Sequence, residues 1–135
     1  IWNKTWKEEK KLPIKTITYS PGGFGLLGGK YSLSNPPDDE RKTIKALSSP
    51  LFPCLLEKIN ELKDKYGTSH YSIALSWVIG MEPWAIVRGV GKEKDFDIDI
   101  VSMEIDEINQ LTKLATEITS AFNQDNVFSH NWLLQ

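Results

Sequence analysis

The chain has 135 residues, of which 40% are hydrophobic and 25% charged, with a net charge of −2; this balance fits a soluble globular protein and not a disordered or membrane one. No apolar run approaches the roughly 20 residues that a membrane-spanning helix requires, and the slightly acidic balance supplies no basic face for nucleic acid. The single cysteine, Cys54, rules out an internal disulfide framework and leaves too few thiolates for a structural zinc site.

Residues 1–13 read as a charged helix with Trp2 and Trp6 on one side, stopped by Pro13. Lys4, Lys7, Lys10, Lys11 and Lys15 cluster there, but Glu8 and Glu9 interrupt them, so the segment reads as a solvated face. The sequence starts at Ile1 with no signal-like segment, so the chain is expected to be processed or to be part of something longer.

From residue 14 to Ser20 the chain alternates and is rich in β-branched types between Pro13 and Pro21, the pattern of a strand. It opens into a loop carrying Gly22, Gly23, Gly25, Gly28 and Gly29. A backbone stripped of side chains approaches an anion closely and offers it amide N–H groups. Two phosphate motifs are excluded here. Gly23 to Gly28 fits G-x-G-x-x-G, but that pattern opens a helix, whereas here Tyr31-Ser32-Leu33-Ser34-Asn35-Pro36-Pro37 follows. Gly29-Lys30 hints at a Walker A loop, yet Phe24 stands where its first glycine belongs and Tyr31 replaces the hydroxyl residue that would hold magnesium.

A Pro-, Asp- and Ser-rich excursion runs to about Pro53. Cys54 lies in the apolar run Leu51 to Leu56 and is expected to be a buried, inert thiol. Leu55, Leu56, Ile59, Leu62 and Tyr66 recur at helical spacing with Gly67 as the stop. Thr68 or Ser69 caps the next helix, whose apolar face is Ile73, Ala74, Trp77 and Val78 before Gly80 and Pro83 end it. The continuous apolar run Trp84 to Val87 predicts a strand buried on both faces of a parallel sheet. A brief helix is expected over Glu93 to Ile98, and Ile105, Ile108, Leu111, Leu114, Ala115 and Ile118 define a last long helix. His70 and His130 lie far apart without ligand spacing, so no metal site is expected.

The sequence therefore reads as a single partial domain: helix 1–13, strand and glycine-rich loop 14–53, helices and last strand 54–121, tail 122–135. Two parallel strands need cover on both faces and both edges and are seldom stable alone. Either the chain is the C-terminal portion of a barrel, or another polypeptide covers its incomplete edge.

Tyr19-Ser20-Pro21, a spacer, and Gly25-Leu26-Leu27-Gly28-Gly29-Lys30-Tyr31 resemble the seventh strand and following loop of the aldo-keto reductases, eight-stranded β/α barrels that reduce carbonyls with NADPH. Asn35-Pro36-Pro37 and Arg41 resemble the loop that comes next, Ala74-Leu75-Ser76-Trp77 the family's Ala-Leu-x-Trp helix, Trp84 to Gly89 its eighth strand, and Ser102 to Leu114 its closing Leu-Ser-x-x-Glu helix. These collinear matches cover roughly residues 4–120. The fold class they imply is α/β, a partial (β/α) barrel with two parallel strands and flanking helices.

The resemblance implies a cofactor, NADP(H), and the residues to hold it. Tyr19 matches the aromatic residue stacked on the nicotinamide; Ser20, Gly22, Gly25 and Leu26 match the stretch against the pyrophosphate, with Lys30 as a charge partner. Lys92 and Lys94 fall where the adenosine 2′-phosphate would be held. No catalytic residue is carried over. The family's tyrosine acid and its lysine, aspartate and histidine lie on the first four strands, which this sequence does not contain, and Tyr19, Tyr31, Tyr66 and Tyr71 fall elsewhere. The chain departs from the family pattern with glycine at 22 and 28, which adds conformational entropy to be lost on ordering. It also reaches Ser102 about one helical turn early, without the Gln or Glu-Asn pair of the adenine site.

Two functions follow as expectations. One is the cofactor-binding C-terminal portion of an NADP-dependent reductase, inactive alone. The alternative is a non-catalytic, degenerate half-barrel acting as a structural or docking subunit. Plastid and cytoplasm are both open as compartments.

Overall fold

A computed structural model describes residues 15–93 and 97–121. The expected helix over 1–13 with Trp2 and Trp6, the first strand residue, Lys94 and the tail lie outside the described residues. Of the brief helix expected over Glu93 to Ile98, residues 94–96 also lie outside them, and Asp97 and Ile98 are not helical.

Two parallel strands, β1 (Ile17–Tyr19) and β2 (Ala85–Val87), pair in the register Ile17↔Ala85, Thr18↔Ile86 and Tyr19↔Val87. Around them lie helices α1 (Phe52–Tyr66), α2 (His70–Gly80) and α3 (Ile105–Ser120), with short 3-10 turns at Gly23–Gly25, Glu40–Thr43 and Lys45–Ser48. This is the α/β arrangement of a partial barrel. β1 is shorter than the alternating pattern promised, because Ser20 leaves the extended region with φ 52 immediately after Tyr19.

Each helix forms for a legible reason. Pro53 occupies the first turn of α1, where its missing N–H costs nothing. Phe52, Leu55, Ile59 and Leu62 make its buried stripe, and Gly67 ends it in the left-handed region with φ 62. Of the two candidate caps for α2 the structure uses Ser69, whose hydroxyl accepts from the Ser72 amide at 3.0 Å. The residues from Ser72 to Val78 are all buried, so α2 is wrapped on every side. α3 opens with a capping box between Glu104 and Glu107 and buries Ile108, Leu111 and Ile118. These faces meet Leu26, Leu27, Tyr31, Ile44 and Leu47 in one core, which draws the glycine loop into the helical layer.

Two further expectations fail. Cys54 is exposed: Phe52, Leu55, Ile59 and Leu62 fix the phase of α1, and a residue about 100° round the helix from Leu55 falls off the stripe. The second strand is not buried on both faces, for Val87 is 56% and Trp84 61% exposed. Ile17 and Tyr19, which share a face with Ala85 and Val87, are exposed to 55% and 65%. Among the described residues the sheet has two strands, so both of its edges are open and Ile17, Tyr19 and Val87 stand exposed on it. Lys15 rests its ammonium 4.7 Å from the Trp84 ring centroid, covering part of that ring.

Candidate cofactor site

Because the strands are parallel and in register, their C-terminal ends lie side by side, and the amide of Ser20 donates to the Val87 carbonyl at 3.2 Å. The glycine loop and the loop from Arg88 to Lys92 therefore leave the same end of the sheet. In a β/α barrel that end carries the site.

The glycine loop is wound on itself. Gly23 N–H donates to Ser20 O (2.9 Å), Gly25 N–H to Gly22 O (3.0 Å), Leu26 N–H to Gly23 O (3.1 Å), Leu27 N–H to Gly22 O (3.1 Å) and Gly28 N–H to Gly25 O (3.2 Å). Gly22 is buried against Tyr71, and Gly29 adopts φ +80 where a Cβ would stand 2.5 Å from His70 Nδ1. Close approach favours glycine at both positions, which qualifies the expected loosening at Gly22; at Gly28 a Cβ would stand 3.3 Å from the Gly25 carbonyl oxygen.

Arg41 ties this loop down. Its Nη1 donates to the Phe24 carbonyl at 3.1 Å and its Nη2 to the Tyr31 hydroxyl at 2.8 Å, while its Nε donates to Asp39 Oδ1 at 2.9 Å. The Arg41 hydrogen bonds hold the Asp39 carboxyl down to about 2 and Asp39 in turn raises the guanidinium further. In the sequence Arg41 is legible only as part of a loop match. The signal available was Asp39-x-Arg41 downstream of a tyrosine, too short a pattern to be specific.

The candidate residues separate into groups. Tyr19 is exposed at the end of β1, with half-buried Ser20 beside it. Gly22 and Gly25 lie in the loop turns, Gly22 buried and Gly25 exposed. Leu26 is fully buried in the core, so it can offer a ligand only backbone, and that amide is already engaged. Lys30 is exposed, its ammonium 4.9 Å from the Tyr31 ring centroid. Lys92 is exposed on the loop after β2, and Lys94 lies outside the described residues.

Between β1, the glycine loop and helices α2 and α3 lies a cleft of about 380 Å³, with Thr16, Thr18, Ser20, Phe24, Trp77 and Thr116 among its walls. Tyr19 is the one titratable side chain in its lining, so the cleft holds no acid–base pair. The other tyrosines are committed: Tyr31 accepts from Arg41, Tyr66 donates to Glu107 Oε2 at 2.7 Å, and Tyr71 backs Gly22. Among the described residues no group of His, Cys, Asp and Glu could hold a metal ion, and no helix is long and apolar enough to cross a membrane.

The family model described as Aldo/keto reductase family matches residues 7–121. Aldo-keto reductase str7 of Strobilurus tenacellus is 29% identical over 80% of this chain and 35% of its own length. The chloroplastic pyridoxal reductase of Arabidopsis thaliana is 36% identical over 63% of the chain and 24% of its own length. Probable aldo-keto reductase 1 of Glycine max is 28% identical over 78% and 33%. The chain thus spans between a quarter and about a third of the length of these relatives, 24% to 35%. No solved structure matches it significantly.

Proposed function

The chain belongs to the aldo/keto reductase family, a family of oxidoreductases, and from that premise we propose that it is the cofactor-binding C-terminal portion of an NADP-dependent reductase. The observation that supports this reading is the register of β1 and β2, which pairs Tyr19 with Val87 and Ser20 with the Val87 carbonyl, so that the glycine loop and the loop bearing Lys92 start from the same end of the sheet. NADPH supplies the hydride when bound.

In this reading the Tyr19 ring packs on the nicotinamide and the Ser20 hydroxyl bonds the pyrophosphate. Gly22 and Gly25 let the backbone approach it, and the Leu26 amide shares its N–H with the Gly23 carbonyl it already serves. Lys30 balances the pyrophosphate charge, and Lys92 with Lys94 takes the 2′-phosphate. The proton donor is assigned to strands outside this sequence, which would complete the barrel along the open edges of β1 and β2, with another polypeptide covering the incomplete edge. No catalytic residue is assigned to this chain, and the chain alone is expected to reduce no simple aldehyde.

Titrating the chain with NADPH and following cofactor fluorescence tests the proposal. A saturable change is expected, weakened by about 1 to 3 kcal/mol in Ser20→Ala and Lys92→Ala, the range for a lost hydrogen bond to a charged group. One observation favours a second reading, a relict half-barrel with a structural or docking role: the amides of Gly25 and Leu26 are spent within the loop. That reading expects no saturable change at millimolar NADPH.

A further inference from the structure

We propose that Arg41 is a positioning residue for the glycine loop, acting through the Phe24 carbonyl and the Tyr31 hydroxyl; the proposal rests on the reading of that loop as the cofactor site. Phe24 is the non-glycine residue at the centre of the loop with φ 57 and ψ 30. A side chain in that region costs about 1 to 2 kcal/mol and persists only where its surroundings fix it. Arg41 is such a fixture, for its Nη1 holds the Phe24 carbonyl.

The same guanidinium is anchored at three further points. Nη2 bonds the hydroxyl of Tyr31, a side chain of the helical core that is 8% exposed. The guanidinium carbon lies 4.9 Å from the Tyr31 ring centroid. Behind it the Asp39 carboxylate accepts from Nε at 2.9 and 3.1 Å and also from the Arg41 amide at 3.0 Å, capping the turn that carries the arginine. The loop is thereby stapled to the core at Tyr31 and to its own return at residues 39–41. Asp39 neutralises the charge, so the contribution is one of shape. A lysine supplies charge at one point and cannot hold Phe24, Tyr31 and Asp39 together.

The test is amide hydrogen exchange across the full chain, read beside the NADPH titration for R41K, Y31F and D39N. R41K should speed exchange of the Gly25 to Gly28 amides about tenfold, the loss of roughly one charge-assisted hydrogen bond, while α1, α2 and α3 amides keep their rates. Y31F and D39N should act in the same direction and less, and NADPH affinity should fall in the order of loop loosening. Loop exchange unchanged in R41K overturns the proposal. Should R41K loosen the whole chain, Y31F decides: selective loosening of the loop supports the proposal and its absence overturns it. Tighter NADPH binding by D39N also overturns it, because Asp39 would then be competing for Arg41 instead of orienting it. Selective loosening in R41K with no NADPH binding by the unaltered chain would leave Arg41's hold on the loop standing and overturn the cofactor reading instead.

Discussion

Gly22 lies against the ring of Tyr71, where a Cβ would stand 2.6 Å from Cε2 and 2.9 Å from Cδ2. Its backbone, with φ −85 and ψ 12, is open to any residue, so the demand at this position is for space and not for conformation. Gly22→Ala should therefore destabilise by about 1 to 3 kcal/mol, the usual cost of overpacking. In a Tyr71→Ala background the same change should cost a few tenths. Chemical denaturation of the four chains of this cycle checks the prediction, and additive costs would show that the two residues do not oppose each other.

Glu107 clips α3 to α1. Its carboxylate accepts from Lys65 Nζ at 2.7 Å, from the Tyr66 hydroxyl at 2.7 Å and from the Glu104 amide at 3.0 Å. Burial alone would raise this carboxyl, but the bonds from Lys65, Tyr66 and the backbone outweigh it and hold the group below its ordinary 4.5. A depressed carboxylate contributes stability that is present above that value and lost as pH falls through the folded one. Melting temperature should drop on acidification below about pH 4.5, the ordinary glutamate value. Glu107→Gln should be less stable near neutrality and show a shallower drop.

His70 titrates in a separate window. Burial first, and Lys63 second, push its imidazole below 6.5, with Asp64 pulling partly back. Its Nε2 lies 3.2 Å from Asn60 Oδ1. The unfolded chain binds this proton more readily than the fold, so stability is complete above 6.5 and falls as pH drops below it. His70→Gln should flatten the stability profile between about pH 5 and 7 while leaving the more acidic drop from Glu107 in place.

The exposed apolar residues of the sheet have a physical consequence of their own. Ile17, Tyr19, Trp84 and Val87 are all more than half exposed around one short sheet. An apolar surface at an open sheet edge draws other chains. Sedimentation velocity should show concentration-dependent association, reduced by Val87→Lys with helical content unchanged. A monodisperse monomer at high concentration would contradict this.

Where periodicity carried the information, the sequence was easily read. The stripe Leu55, Ile59 and Leu62 and the stripe Ile108, Leu111 and Ile118 demand helices whatever else is present. Gly67 and Ser69 marked a stop and a start that the structure uses. Burial of a strand depends on neighbours the segment cannot encode, which is why Val87 and Trp84 read as core and stand exposed. Cys54 was misplaced because an apolar run hides the phase of the helix it enters. In the candidate site, Tyr19, Ser20 and the glycines were legible as a strand opening into a bare backbone. The hold of Arg41 on Phe24 was not, since it joins residues 17 apart through a carbonyl that any residue would present.

The central claim is that the glycine loop binds NADPH at the C-terminal ends of β1 and β2. Amide chemical shifts of the isotopically labelled chain, followed through an NADPH titration, test it most directly. The claim predicts saturable shifts confined to Tyr19, Ser20, Gly22 to Leu26, Lys30 and the loop at Lys92, suppressed in Ser20→Ala. Shifts absent at millimolar NADPH, or scattered over α1 and α3 with the loop unmoved, would contradict it.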